Sequence, residues 1–216
     1  MSILIALPSC HSLRYWHESI RHTWGRDVKG ADLRFFLGLP KVEAQQDEVS
    51  LEVGDSLPEL SHKTVAIFRW ALSNNYDFCL KADLDTLVFP DRFMNSGFEA
   101  CDWTGGQNSF FASGGAGYVL SRKAMQIVVD YPVTTTTDED VHTAKALLEQ
   151  GINLHHDPRY LFIPGQTLTS ETITYHLSSV KAWGAKATPE ELRQAYRGSP
   201  IIPVKETRWQ GRLRKG

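Results

Sequence analysis

The amino-acid sequence predicts one α/β domain built around a mostly parallel central sheet. Short apolar runs alternate with segments of helical spacing along the first half of the chain, a pattern typical of buried strands covered by helices. Two aspartates, Asp83 and Asp85, directly follow one of these runs, at the strand end where α/β sheets bind ligands. The chain has 216 residues, of which 42% are hydrophobic and 22% charged. It is therefore long enough to bury a full core, and disorder or a coiled coil is excluded for the whole chain.

The first predicted elements are two strands with a helix between them. Residues 2–7 and residues 33–39 are short apolar runs that predict buried strands. Residues 11–24 predict the helix, and residues 42–53 are polar and acidic. The helix is predicted from four apolar residues at helical spacing, namely Leu13, Trp16, Ile20 and Trp24.

A second helix leads to the strand that carries the two aspartates. Residues 58–74 predict this helix, which begins at a proline, and residues 77–82 predict the strand. The remaining predicted elements are an extended piece at 87–89, strands at 102–106 and 110–112, a glycine-rich turn at 114–117, and helices at 121–131 and 138–150. Beyond these the pattern weakens.

Charge and composition limit the partners of the protein. The formal net charge is −2, which argues against a protein that coats nucleic acid by bulk charge. Residues 181–216 carry nine Lys or Arg and three Glu, a net charge of +6, which leaves −8 for residues 1–180. We therefore divide the chain into a domain at 1–180 and a basic segment at 181–216, which is either part of the same domain or a solvated tail. Such a segment can also bind phosphate, anionic lipid or nucleic acid.

The sequence also bears on the compartment. Three cysteines with no C-x-x-C pair favour a reducing compartment or a disulfide-poor protein. No stretch approaches the roughly 20 apolar residues of a membrane span, and the amino terminus reads as a strand rather than a secretory signal. We expect a cytoplasmic protein of a bacterium or a virus-infected cell. The alternative is a soluble catalytic domain cut from a membrane-anchored Golgi enzyme.

The two aspartates are the strongest chemical signal. Asp83 and Asp85 alternate, so both side chains point the same way from an extended segment, where their charges repel unless a cation lies between them. Mg²⁺ and Mn²⁺ prefer such oxygen ligands and are commonly held by one or two carboxylates together with substrate phosphates. The alternative is a surface turn with two solvated acids.

Two further segments have both a structural and a functional interpretation. Asp138, Glu139 and Asp140 begin a predicted helix, where acids are favoured electrostatically, but one of them could also serve as a general base. The glycines of residues 114–117 allow close backbone approach to a ligand or simply a tight turn. Their spacing does not match the dinucleotide-binding pattern.

Taken in order, seven motifs resemble the inverting β-1,3-glycosyltransferases of the galactosyltransferase and Fringe type, known as glycosyltransferase family 31. The resemblance spans roughly residues 2–155. The motifs are 19–25 (SIRHTWG, like A-I-R-x-T-W-G), 34–38 (RFFLG, like F-L-L-G), 55–64 (DSLPELSHKT, which shares the final K-T), Trp70, 81–85 (KADLD, like K-x-D-D-D), 115–121 (GAGYVLS, like G-x-G-Y-V-L-S) and 139–141 (E-D-V).

The resemblance implies a GT-A fold, a Rossmann-like α/β domain that uses a nucleotide sugar. It implies a metal ion, Mn²⁺ or Mg²⁺, on Asp85, Asp83 and His176, and a general base at Asp140, with Glu139 as the second choice. The implied donor is a UDP-sugar and the acceptor a hydroxyl of a glycan or glycoprotein. Donor contacts are expected from Pro8, Ser9, Arg21, Lys63, Asp83, Leu84, Gly114 and Gly115.

Departures from the family keep other functions open. Leu84 replaces the middle acid of the family's three aspartates, which mildly favours an inactive carbohydrate-binding module on the same fold. A modified DNA base is a possible acceptor if the basic segment is functional, and strong salt dependence of binding would expose that. A metal-dependent phosphotransferase or nuclease would also use paired acids.

Overall fold

A computed structural model describes residues 1–133, 138–181 and 186–198. Its main feature is a seven-stranded sheet. The strands of the chain are β1 (Ile3–Pro8), β2 (Asp32–Leu37), β3 (Glu48–Ser50), β4 (Phe78–Lys81), β5 (Thr86–Val88), β6 (Trp103–Gly105), β7 (Gln107–Asn108), β8 (Phe111–Ala112), β9 (Tyr118–Ser121), β10 (His155–His156), β11 (Tyr160–Leu161) and β12 (Thr174–His176). The helices are α1 (Tyr15–Arg21), α2 (Leu60–Ser73), α3 (Pro90–Met94), α4 (Arg122–Asp130), α5 (Glu139–Glu149), α6 (Leu177–Lys181) and α7 (Pro189–Gly198).

The main sheet is mostly parallel, as the sequence predicted. Its strand order is β10-β6-β9-β4-β1-β2-β3. Only β9 runs antiparallel to its neighbours, β4 and β6. A smaller sheet of β11, β12 and β5 and a hairpin of β7 and β8 stand beside it. The predicted fold class is confirmed.

The core lies on both faces of the main sheet. Along β1, Ile3, Ile5 and Leu7 pack into one apolar cluster, and Leu4 and Ala6 pack into the other. This division follows from the alternation of side chains along a strand. Because both faces are buried, β1 is a continuous apolar run, as is typical of strands in parallel sheets.

Several predicted elements differ in extent. The helix predicted at 11–24 is α1 alone, with short 3-10 helices at His11–Leu13 and Trp24–Asp27 on either side. Leu13 was predicted to lie on the apolar face of that helix, but it lies in the 3-10 turn and is 37% exposed. The polar segment 42–53 contains β3, an edge strand that the sequence pattern did not indicate.

The chain after residue 180 was predicted as a basic segment. Its described part includes α7, where Leu192 and Tyr196 are buried. The Tyr196 hydroxyl donates to Asp27 at 2.7 Å, which ties α7 to the turn after α1. Residues 182–185 and 199–216, including most of the basic residues, lie outside the described part, so the boundary at 180 stays a prediction. Among the described residues, no helix is long and apolar enough to cross a membrane.

Candidate active site

A cleft of about 370 Å³ opens at the carboxyl ends of β1 and β4. Six residues predicted from the sequence line it, namely Pro8, Ser9, Lys63, Asp83, Leu84 and Asp85. The other lining residues were not among the predicted site residues, and they are Cys10, Leu13, Tyr15, Trp16, Asp55, Ser56, Leu57, Leu60, Ser178, Lys186 and Ala187. The cleft therefore combines two acids at one strand end with a largely apolar wall.

Two acids that line the β4 end of the cleft meet a histidine, His176, which lies outside the lining. Asp83 and Asp85 follow β4, and His176 ends β12, which pairs antiparallel with β5 so that His176 lies opposite Thr86. His176 Nε2 is 3.1 Å from Asp85 Oδ1. One ligand atom from each of the three residues lies within 4.8 Å of the others. Two carboxylates and an imidazole suit a divalent ion such as Mn²⁺.

Hydroxyl groups orient this cluster. Ser178 Oγ donates to Asp85 in a short hydrogen bond, and Ser179 Oγ lies 2.8 Å from His176 Nδ1. Burial opposes ionisation of Asp85, but the hydrogen bonds and charge of His176 and the Ser178 hydroxyl lower its pKa. Burial likewise opposes protonation of His176, but the Asp85 carboxylate raises its pKa. Partners of this kind fix the orientation of metal ligands.

The turn at Gly114 and Gly115 makes room for the side chains around it. A Cβ on Gly115 would lie 2.2 Å from His176 Cε1, and one on Gly114 would lie 2.1 Å from Glu139 Oε1. The Gly115 carbonyl accepts from Thr86 Oγ1 at 2.6 Å. Neither glycine lines the cleft, although both were predicted to contact the donor. Their observed part is to let neighbouring side chains approach the backbone.

Glu139 is enclosed in a buried polar network. Lys81 Nζ donates to Glu139 Oε1 at 2.5 Å and to Asp83 Oδ1 at 2.9 Å, and the Tyr118 hydroxyl donates to Glu139 Oε2 at 2.8 Å. Burial opposes charge on Lys81, but the two carboxylates outweigh it and raise its pKa. Glu139 is thus paired with a buried ammonium group and is itself only 5% exposed. This environment suits a structural role better than the predicted role as second-choice base.

Asp140 occupies a different environment one residue further along. It lies in the first turn of α5 and is half-buried. Its oxygens accept single backbone hydrogen bonds, from Gly114 at 3.2 Å and from Val141 at 2.9 Å. Burial raises the pKa of its carboxyl. A partly exposed carboxylate with a raised pKa can accept a proton.

At the β1 end of the cleft, Lys63 is already neutralised. Its ammonium group donates to the Ser9 carbonyl at 2.6 Å and forms a short contact with Asp55. Asp55 also accepts from the backbone amides of His11 and Gly38, each at 2.8 Å. Lys63 and Asp55 together fix the loop after β1. Asp55 begins the 55–64 motif, so the sequence held a signal for it.

Lys186 lines the cleft as well and is exposed. No salt bridge links it to any residue within the ranges that the structure describes. Its positive charge is therefore available to a ligand, whereas the charge of Lys63 is paired with Asp55. No motif marked Lys186 in the sequence, because it lies where the pattern had weakened.

Arg21, like the two glycines, is a predicted donor contact that the structure does not bring to the cleft. Its guanidinium donates to Asp47 at 2.8 Å and 2.6 Å. Burial opposes its charge, but the Asp47 carboxylate raises its pKa. Arg21 is 6% exposed and is absent from the cleft lining. We therefore leave it out of the donor site.

The galactosyltransferase family model matches residues 17–100 of this chain. The match covers less than half of the 216 residues, so what it shows is a galactosyltransferase-like segment. The match runs from α1 through Asp83 and Asp85, and it ends before Asp140 and His176. For this matched segment the predicted family is confirmed, and so is the predicted class of enzyme, a glycosyltransferase.

Three of the solved structures that resemble this chain are nucleotide-sugar enzymes. One, described as a nucleotide-diphospho-sugar transferase from Desulfovibrio desulfuricans, has 13% identity and a TM-score of 0.50 over 72% of this chain and 80% of its own. A CMP:2-keto-3-deoxy-manno-octonic acid synthetase complexed with CTP has 12% identity and a TM-score of 0.50 over 73% and 89%. A mannosyltransferase from Pyrobaculum calidifontis, in complex with GDP-Man and Mn²⁺, has 10% identity and a TM-score of 0.51 over 72% and 54%. At these identities the likeness concerns the fold, and the predicted GT-A class agrees with it.

Proposed function

We propose that this chain is a metal-dependent inverting glycosyltransferase. It moves a sugar from a nucleotide sugar, a UDP-sugar, to a hydroxyl of a glycan or glycoprotein acceptor. The observation that carries the proposal is the cluster of Asp83, Asp85 and His176 at one end of a cleft with apolar walls. The cleft is suited to a ligand with a planar apolar part and a charged part.

Each part of the cleft has a place in this reaction. Asp83, Asp85 and His176 would hold Mn²⁺ or Mg²⁺, whose charge stabilises the leaving diphosphate. Lys186, which also lines the cleft, adds positive charge. The loop at Pro8 and Ser9, together with Leu84, contacts the nucleotide. The Mn²⁺ in the mannosyltransferase complex supports the choice of metal.

Asp140 is the general base of the proposed reaction. It takes the proton of the acceptor hydroxyl while that oxygen bonds to the anomeric carbon of the donor sugar. The bond from the anomeric carbon to the diphosphate oxygen breaks in the same step, and UDP leaves. The turn at Gly114 and Gly115 links the two halves of the site, because Gly114 donates to Asp140 and the Gly115 carbonyl accepts from the Asp83 amide at 3.3 Å.

Asp140→Asn tests the assignment of the base. We expect UDP release in the presence of methyl glycosides as acceptors to fall by about 10²- to 10⁴-fold, the usual contribution of general-base catalysis. Binding of the UDP-sugar with Mn²⁺ should change little. Asp138→Asn is the matched control, since Asp138 is exposed and lies just before α5. Unchanged transfer by Asp140→Asn would overturn the assignment.

The donor itself is tested by thermal unfolding with UDP-, GDP-, CMP- and dTDP-sugars, each with and without Mn²⁺. A ligand at about 100 times its Kd stabilises the folded protein by about 2.7 kcal/mol. We expect stabilisation that needs both a UDP-sugar and Mn²⁺. Absence of any shift across this set would contradict the proposed function.

A further inference from the structure

Three buried side chains form a hydrogen-bonded chain that leads to the cleft. Ser9 Oγ lies 2.7 Å from His17 Nε2, and His17 Nδ1 lies 2.7 Å from Glu48 Oε1. The residues come from the end of β1, from α1 and from β3, and they are 4%, 0% and 7% exposed. The His17 ring also stacks on Phe35 at 4.0 Å between centroids, so its orientation is fixed. Of the three, only Ser9 lines the cleft.

The chemistry of Glu48 determines which ring nitrogen of His17 carries the proton. Burial opposes ionisation of Glu48, but hydrogen bonds from Arg14 and the Gln45 amide outweigh it and lower its pKa to about 2. An ionised carboxylate can only accept hydrogen bonds, so the proton between the two residues belongs to His17 Nδ1.

The remaining nitrogen then determines the orientation of the Ser9 hydroxyl. Burial lowers the pKa of His17, although Glu48 partly opposes this, and the ring is neutral. In a neutral imidazole with a proton on Nδ1, Nε2 is an acceptor. The hydroxyl at 2.7 Å must therefore donate to it. The other acceptor near this hydroxyl, the Cys10 carbonyl, lies at 3.5 Å.

The backbone of Ser9 is also fully engaged. Its amide donates to the Phe36 carbonyl at 2.8 Å, and its carbonyl accepts from Lys63 at 2.6 Å. With the hydroxyl proton held by His17, Ser9 can offer the cleft only the lone pairs of Oγ.

We propose that His17 and Glu48 hold Ser9 Oγ as an obligate acceptor, which receives an N–H or O–H of the nucleoside half of the bound nucleotide. The inference rests on the proposed function and adds a specificity-determining residue to it. An ionised diphosphate has no hydrogen-bond donor, so an acceptor-only hydroxyl cannot bind it favourably. Imide N–H groups of bases and ribose hydroxyls do carry donors.

The same three residue types can activate a serine nucleophile. An inverting transfer forms no covalent bond to the enzyme. We therefore assign the chain of hydrogen bonds to binding. Ser9 is the contact residue, and His17 is a positioning residue that acts through it.

Calorimetric titration tests the contact. Ser9→Ala and wild type, with Mn²⁺, are titrated with UDP, N3-methyl-UDP, 2′-deoxy-UDP and 3′-deoxy-UDP. Ser12→Ala is the matched control, since Ser12 is exposed, lies in the 3-10 helix that follows this loop and does not line the cleft. We expect Ser9→Ala to weaken UDP binding about 3- to 10-fold, the value of one neutral hydrogen bond.

The altered nucleotides separate the sources of the donor group. One altered nucleotide should bind wild type more weakly than UDP does, but should bind Ser9→Ala as well as UDP does. The group that this nucleotide lacks, the imide N–H or one ribose hydroxyl, is then the partner of Ser9. Equal losses in both proteins for all three nucleotides would overturn the inference. Absence of UDP binding to wild type would instead contradict the proposed function.

Nitrogen NMR tests the positioning residue without any ligand. The His17 resonances are assigned by comparison with His17→Gln. We expect a proton on Nδ1 and none on Nε2 at neutral pH. A proton on Nε2 would overturn the inference, because Ser9 would then be free to donate into the cleft.

Discussion

Gly115→Ala is a sharp test of the candidate metal site, because it changes no polar group. The added Cβ would lie 2.2 Å from His176 Cε1 and 2.4 Å from Nδ1, where ordinary contacts begin at 3.4 Å. The ring would therefore have to withdraw by about 1.2 Å. It is held by Asp85 at 3.1 Å and Ser179 at 2.8 Å, so withdrawal breaks the arrangement of the cluster.

Mn²⁺ affinity measures the effect. Displacing a group that positions a metal ligand typically weakens metal binding 10- to 100-fold, and we expect about this loss for Gly115→Ala. A calorimetric titration of Mn²⁺ into the protein in the presence of UDP gives the Kd for Mn²⁺. Gly198→Ala is the matched control, since a Cβ there meets no atom within 4 Å.

A double-mutant cycle decides whether His176 carries the effect. In a His176→Ala background the new Cβ has space, so Gly115→Ala should cost little further Mn²⁺ affinity. Wild-type Mn²⁺ affinity in the single variant Gly115→Ala would refute the reasoning. Additive losses in the double variant would show that the glycine acts through another route.

Three other changes follow from the buried and exposed charges. Lys81→Met should destabilise the fold by about 3–5 kcal/mol in urea unfolding, because it leaves Glu139 buried without its partner; Glu139→Gln in addition should recover part of the loss. Lys186→Met should weaken UDP binding about 3- to 10-fold and leave uridine binding unchanged, since the proposed contact of Lys186 is with phosphate; equal losses for UDP and uridine would contradict that contact. The pKa of Glu48 in the folded protein is about 2, below its ordinary 4.5. Ionised Glu48 therefore stabilises the fold fully above pH 4.5, and this contribution is lost as the pH falls toward 2. In Glu48→Gln, the free energy of unfolding should depend less on pH over this range.

The parts of the site that the sequence predicts are those set by local pattern. The strand before Asp83 is apolar and short, and the two aspartates alternate directly after it, so strand, sheet edge and acids follow from one stretch of chain. The turn at residues 114–117 is likewise predicted from a short local stretch, because its glycines are adjacent or nearly so in the sequence. Gly117 shows the local requirement, with φ at +92° and a Cβ that would lie 2.7 Å from the Lys81 carbonyl oxygen.

The sequence could not predict which charged side chains are already paired within the protein, because such pairs join residues that are distant in the chain. Arg21 looks like a phosphate ligand until Asp47, 26 residues away, is seen to neutralise it. The same holds for Lys63, which Asp55 neutralises. Lys186 is the converse case, since it reaches the cleft from a segment without any motif. The sequence shows which charged groups a residue could bind, but only the tertiary structure shows whether its charge is already paired with another residue.

The acids of this site differ in burial and in the groups from which they accept hydrogen bonds. Glu139 gives one oxygen to Lys81 and the other to Tyr118, and both oxygens of Asp55 accept from the protein. Asp83 has one such contact, to Lys81, and its side chain is 38% exposed. Asp140 also accepts one hydrogen bond on each oxygen, but both donors are backbone amides and its side chain is half-buried. Glu139 is 5% exposed and paired with Lys81, so it is held in a buried network, whereas the partly exposed Asp83 and Asp140 can take a metal or a proton. This difference in burial and charge pairing favours Asp140 over Glu139 as the base, although the two are adjacent at the start of one helix.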